Sequence, residues 1–298
     1  MGKNVMRRST RLNRVIVAAA WCAGAILPAA LSTTALAQFR VTPGGANAGD
    51  GFFRQGVPAT SGTLTGSSNA EFRPTTATST DNMFGDQWWF RGPGDTREFA
   101  FANQPAGVPA QTMVTVGNDL GTLDTGGFDS TVTAASYAFT AQFRWRIVAG
   151  TGGPTVNYSA TLLNTGTAPF DLSVFAYKDF DANGSAGTDT YSINGAGNTF
   201  SIADGPTSIT WTANNPAAFQ ATAFATLRGL LANAVVDNLT NTVAGSPGDF
   251  TGAFQWNVLL APAQPVTFGG TFSMVVPEPG MIGLAALGLP LLMRRRRA

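Results

Sequence analysis

The sequence predicts an all-β chain: a single β-sandwich or jelly-roll-like domain, preceded by a signal helix and followed by a short apolar helix. Three observations carry this. Apolar and polar residues alternate with period two over long stretches from about residue 131 onward. Clusters of Gly, Asn, Asp and Pro separate these stretches at short intervals. Helical spacing is confined to one place in the body, and no repeat of fixed period is present.

The two ends read as processing segments and are set aside before the fold is read. Lys3, Arg7, Arg8, Arg11 and Arg14 form a basic region, and an apolar run follows from Val15 to about Leu31. Ala35-Leu36-Ala37 is the small-residue pattern that signal peptidase cuts after, so the mature chain is expected to begin at Gln38. The other reading is an N-terminal anchor. Arg7-Arg8 is a weak twin-arginine signal, because Ser9-Thr10-Arg11 lacks the apolar residues that should follow. Cys22 lies in the apolar run and leaves with it.

The expected body, residues 38–276, has neither cysteine nor histidine. Export is compatible with disulfides, but this body has none to form, so burial of a core must stabilise it. Five of the 18 basic residues precede Gln38 and four close the chain; of the 17 acidic residues only Glu278 lies in the tail. The body therefore carries a net charge of −7, with 9 basic against 16 acidic residues. An acidic exported domain is a poor nucleic-acid binder, and no such partner is expected.

Residues 38–80 are rich in Gly, Ser, Thr, Ala and Asn and read as loose edge strands and loops, partly disordered. Tyr137, Phe139, Ala141, Phe143, Trp145 and Ile147 then share one parity against polar partners, which marks a strand with one buried face. Val156, Tyr158, Ala160 and Leu162 repeat the pattern beyond a Gly/Pro turn, so the two runs should form a hairpin. Phe170 to Tyr177 is apolar in both parities and reads as a central strand. Short strands follow near 191–193, 199–202 and 208–212. Leu227, Leu230, Leu231, Ala234 and Val235 have helical spacing, which places a short helix within 216–238. Two long alternating runs, 250–260 and 266–276, close the body.

Asp179-Phe-Asp181-Ala-Asn183-Gly184 fits the first half of a calcium loop: oxygen ligands at positions 1, 3 and 5, with glycine at 6. Position 12 is Thr190 rather than a bidentate Glu, and Asp189 one place earlier is the substitute. Calcium is the only cofactor these residues suggest. The alternative is a plain Asp/Asn/Gly turn, which the same residues favour without metal. Trp88-Trp89-Phe90-Arg91 is the densest aromatic patch. It reads either as a platform on which sugar rings stack, or as core, with Trp88 and Phe90 facing inward and Trp89 covering a neighbouring strand. Without histidine or cysteine, Ser-His and Cys-His nucleophiles and the usual zinc ligands are missing. Paired carboxylates for glycoside hydrolysis remain, but the body's only glutamates, Glu71 and Glu98, sit in ordinary contexts. The sequence therefore predicts no enzyme.

The chain ends with Pro277-Glu278-Pro279, a mostly apolar run and Arg294, Arg295, Arg296 and Arg297. Fourteen residues from Gly280 to Met293 span about 21 Å as a helix, short of a roughly 30 Å hydrocarbon core. The arginines would keep this end cytoplasmic, so the segment reads as a stop-transfer element that pauses the chain at the inner membrane. Pro-Glu-Pro, apolar run and Arg cluster, in that order at the terminus, resemble the PEP-CTERM sorting domain of exopolysaccharide-producing bacteria. The resemblance covers about the last 23 residues, from Val276. It implies recognition by exosortase, cleavage near the motif, and transfer of the body to the cell surface or exopolysaccharide matrix. Asp86-Gln-Trp-Trp-Phe-Arg91 with Gly94-Asp-Thr-Arg-Glu98, and Tyr177–Gly184 after it, resemble segments of secreted bacterial proteins, many with this tail. That implies a shared β-rich fold and no particular activity. The expected function is a structural or interaction protein of the envelope or matrix. The alternatives are an exopolysaccharide-binding module using Trp88 and Trp89 and, more distantly, a carboxylate-based carbohydrate-active enzyme.

Overall fold

The computed structural model describes residues 38–43, 50–56, 69–102, 109–117, 122–150 and 152–276. The alternating runs form strands, and nearly all of them pair antiparallel. The larger sheet has eight strands. Along it lie β11 (Thr190–Ile193), β12 (Thr199–Asp204), β13 (Thr207–Ala213), β17 (Pro265–Val275), β9 (Thr155–Asn164), β8 (Ala138–Val148), β7 (Thr125–Thr133) and β6 (Ala110–Val116). The expected hairpin is β8–β9, with Phe143 opposite Ala160 and Trp145 opposite Tyr158. Its inward parity is buried and its outward parity, Gln142 and Arg146 included, is wet, as a half-buried antiparallel strand requires.

A six-stranded sheet faces it, in the order β15 (Thr242–Val243), β14 (Ala218–Ala223), β16 (Phe250–Leu260), β10 (Phe170–Phe180), β4 (Gly85–Arg91) and β5 (Phe99–Ala100). Its one parallel pair is β14–β15. The core between the sheets is aromatic. Trp88 stacks on Trp256 at 5.9 Å and reaches Phe143 at 5.3 Å, while Trp211 meets the edge of Phe254 at 4.6 Å. Offset and edge-on pairs of this kind add to the stabilisation from burial alone.

β10 is central, as its two apolar parities predict. Leu172, Val174, Ala176 and Phe180 face the eight-stranded sheet, and Phe175 and Tyr177 face the other way. That second face is covered by the helix α1 (Phe224–Ala232), which buries Leu227 and Leu231. The helix expected within 216–238 is therefore present but short, because Ala218–Ala223 is strand β14.

The expectation of a loosely ordered segment at 38–80 needs correction over its described residues. β1 (Gln38–Val41), β2 (Phe52–Gly56) and β3 (Ala70–Arg73) form a third sheet. Phe39, Phe53 and Phe72 have no solvent exposure. Phe53 packs on Trp145 and Phe272, and Phe72 meets Phe272 edge-on at 4.9 Å. A low apolar content misled the composition reading, because the few large apolar residues among those described, Phe39, Val41, Phe52, Phe53 and Phe72, are all buried. Arg54 and Arg73 pair with Glu71 on this sheet.

Candidate metal centre

β10 ends at Phe180, and the chain turns through a single 3-10 turn, Ala182–Gly184. Asn183 and Gly184 both adopt left-handed backbone, with φ of 60° and 71°. A side chain at Gly184 would place its Cβ 2.6 Å from Thr80 Cγ2, so the tight turn needs glycine there. The turn is held from outside by Asp181 N–H donating to Asn82 O and Phe84 N–H donating to Asp179 O.

Carboxylate oxygens of Asp179, Asp181 and Asp249 lie within 4.8 Å of one another. This cluster could hold a metal ion. Asp249 immediately precedes β16, and antiparallel pairing of β10 with β16 puts Asp179 opposite Thr251. Sheet register thus delivers the third carboxylate from far along the chain. Asp179 is buried and its Oδ1 has no hydrogen-bond partner. A buried carboxylate oxygen left bare is costly unless a cation or proton satisfies it.

Asp189 stands beside this triad. Its Oδ2 accepts the Phe250 N–H at 3.4 Å, and its Oδ1 is buried without a partner. Burial, and after it the neighbouring negative charge of Asp181, raises the Asp189 carboxyl to about 7. Burial, then Asp249 and Asp81, raise Asp181 to about 6. Asp179 is pushed well up by burial and by Asp181, Asp249 and Asp189, against which Arg228 on α1 acts in the lowering direction. Burial also raises Asp249. The repulsion among these carboxyls is what a divalent cation would relieve.

Of the four residues expected to hold calcium, Asp179 and Asp181 come together, and Asp189 is adjacent. Asn183 has an exposed side chain, with Nδ2 beside Gly205, and its backbone supplies the left-handed turn. Asp249 escapes a reading of sequence spacing. Every donor in the cluster is a carboxylate oxygen, which suits a hard cation.

The sugar platform expected at Trp88 and Trp89 is corrected outright. Trp88 is 3% exposed and Trp89 is fully buried. Trp88 lies between the sheets, and Trp89 is sealed beneath α1 with Phe175, Leu227 and Leu231. Neighbouring residues of a strand point to opposite faces, and β4 is covered on both. Arg91, at the end of β4, is fully engaged. It donates to Glu98 Oε1 at 2.5 Å, Asp237 O at 2.6 Å and Asn238 Oδ1 at 2.7 Å.

The cleavage residues Ala35 and Ala37, the motif Pro277, Glu278 and Pro279, and Arg294 to Arg297 lie outside the described residues. So do the two terminal segments expected to be helical. Gln38 opens β1. Among the described residues no helix is long and apolar enough to cross a membrane.

No family model matches the chain, and no curated protein matches it. It is similar to a solved bacterial glucoamylase in complex with acarbose, at 11% identity and a TM-score of 0.46, over 85% of this chain and 35% of that one. It is also similar to a putative kojibiose phosphorylase from the human microbiome, at 7% identity and a TM-score of 0.37, over 84% and 33% of the two chains. The chain spans about a third of the length of either. The expectation that it is not an enzyme is corrected on this finding, since both neighbours are carbohydrate-active enzymes. A likeness at this identity lends no residue of this chain a catalytic role.

Proposed function

We propose that this is an exported protein of the cell envelope or extracellular matrix, whose β-sandwich holds a calcium ion at Asp179, Asp181 and Asp249. The observation that carries the metal reading is the convergence of three carboxylates from two distant segments, with Asp179 Oδ1 buried and bare. Oxygen-only donors favour a hard cation over zinc or copper. Calcium accepts irregular oxygen cages, whereas magnesium demands a near-ideal octahedron and keeps its waters. The ion would clamp the end of β10 to the start of β16 and so brace one end of the sandwich.

Delivery rests on the tail resembling PEP-CTERM sorting signals. Signal peptidase would release the body after Ala37, the apolar run would pause it transiently at the inner membrane, and exosortase would act near Pro277–Pro279. The surface or exopolysaccharide matrix is then its destination, where calcium is plentiful and a weak site suffices.

Calcium titration of the purified full chain by calorimetry, after chelator treatment, tests the metal reading. Binding with a Kd of about 10⁻⁴–10⁻³ M is expected, as in extracellular calcium modules, and Asp249→Asn should abolish it. No heat at about 10 mM calcium, roughly tenfold above that range, would refute it. C-terminal peptide mapping of protein from the host's envelope and medium tests the sorting. A chain ending near Pro277–Pro279 supports it, and one still ending in Ala298 overturns it.

A further inference from the structure

Between residues 38 and 276 the chain carries eight arginines and one lysine, Lys178. Lysine is normally a surface residue, yet this one has no solvent exposure. It lies on β10 directly opposite Asp86 of β4, whose side chain is equally sealed. Nζ stands 2.6 Å from Asp86 Oδ2. The rings of Phe272, Tyr158 and Trp211 surround the nitrogen, with centroids at 4.6, 4.7 and 5.6 Å. Trp145 Nε1 donates to the same Oδ2 at 3.1 Å, and Asp86 Oδ1 has no partner.

We propose that Lys178 and Asp86 are placed to condense into an amide cross-link between β10 and β4. The amine nitrogen is in contact with the carboxyl group it would attack, and sheet register holds it there. Such fixed proximity replaces a bimolecular encounter and is worth many orders of magnitude in effective concentration. In the step, the Lys178 Nζ–Asp86 Cγ bond forms and one carboxyl C–O bond breaks. Two of the three ammonium protons leave with that oxygen as a single water, and the third remains as the amide N–H. Atoms and charge balance with no oxidant or second reactant. The Trp145 N–H polarises the carboxyl as the nitrogen approaches. The aromatic cage excludes the water that would reverse the step.

The product also removes a cost. Two opposite charges sealed from water carry a desolvation penalty that their attraction repays only in part, whereas an amide carries no net charge. The link would join positions 92 residues apart in a body that has no cysteine for a disulfide.

The test is peptide mapping of the folded, purified full chain after denaturation. Trypsin should fail at Lys178, and one peptide should join Gln55–Arg91 to Ile147–Arg228, lighter than their sum by one water. Acetylation of the denatured chain should leave Lys178 unmodified. Lys178→Arg, which keeps the charge but lacks the amine, should be cut after position 178 and give three separate peptides, residues 55–91, 147–178 and 179–228. Wild-type protein in which trypsin cuts after Lys178, and acetylation reaches it, overturns the proposal and leaves a buried ion pair. The wild-type measurement decides the matter even where the variant fails to fold.

Discussion

Four aspartates crowded at one end of the sandwich should make stability fall as pH rises, and calcium should reverse that fall. Burial and mutual repulsion hold Asp181 near 6 and Asp189 near 7, against an ordinary 3.8. Asp179 is raised by the same causes, and Asp249 by burial. An aspartate held above its unfolded value binds its proton more tightly in the folded chain. Its contribution to stability is full below about pH 4 and is lost as pH rises through about 6 to 7. For Asp181 and Asp189 together, the two elevations would correspond to about 7 kcal/mol if both were sealed from water. Asp181 keeps partial solvent contact, and water screens the repulsion, so about 2–4 kcal/mol is the working figure. For a domain of this size that is roughly 4–16 °C in Tm.

The assay is a set of thermal melts of the full chain between about pH 4 and 8, in chelator and in calcium. In chelator, Tm should drop across the interval. Calcium at about 100 times its Kd adds about 2.7 kcal/mol at the alkaline end, which offsets most of the loss. At the acid end calcium must displace protons, so its effect should shrink. A Tm that is flat or rising with pH in chelator would refute the repulsion argument. An equal calcium effect at both ends would refute the assignment of the site to these carboxyls.

Other expectations follow from packing. A Cβ at Gly127 would lie 1.9 Å from Phe143 O, so Gly127→Ala should cost about 1–3 kcal/mol or more in urea unfolding; a neutral result would mean β7 lies farther from β8. Trp89→Ala should cost about 3–5 kcal/mol, because the ring is core, and a loss of under about 1 kcal/mol would return it to the surface. Glu98 has no exposure and ties Arg91 to the Asp237 N–H. Removing it as Glu98→Ala strands a largely buried guanidinium and should cost about 3–5 kcal/mol by the same assay.

The strands legible in the sequence are those with one dry and one wet face. β8 and β9 announce themselves because Phe139, Phe143 and Trp145 alternate with Gln142, Arg144 and Arg146. β10 is legible as central because Phe175 and Tyr177 break the parity of Val174 and Ala176. The Trp88–Trp89 pair is ambiguous for that same reason: a doubly covered strand and an exposed platform both put aromatics in both parities. Only α1, folded over the outer face, settles which. Two of the three clustered carboxylates are local, since Asp179 and Asp181 are two apart. The third is topological. Asp249 arrives through the β10–β16 register, and no spacing rule in a single sequence encodes which strand will lie beside which. The partner of Lys178 is hidden for a similar reason, because Asp86 comes from a strand 92 positions away.

Tyr177, Lys178 and Asp179 are consecutive, yet each serves a different environment. Tyr177 lies beneath α1, Lys178 lies in the ring cage between the sheets, and Asp179 belongs to the acidic cluster. Strand alternation sends Lys178 to one face of the sheet and its two neighbours to the other. The cross-link and the metal centre should therefore be separable although their residues adjoin. Asp249→Asn removes a carboxylate from the cluster and touches neither Lys178 nor Asp86, so its tryptic map should still show the joined peptide while its calcium heat disappears. Lys178→Arg should do the reverse, losing the joined peptide and keeping the calcium heat. If Asp249→Asn abolished the cross-link in a folded chain, the amine and carboxyl would not be held by sheet register alone. The cage would then depend on the clamp at the end of β10.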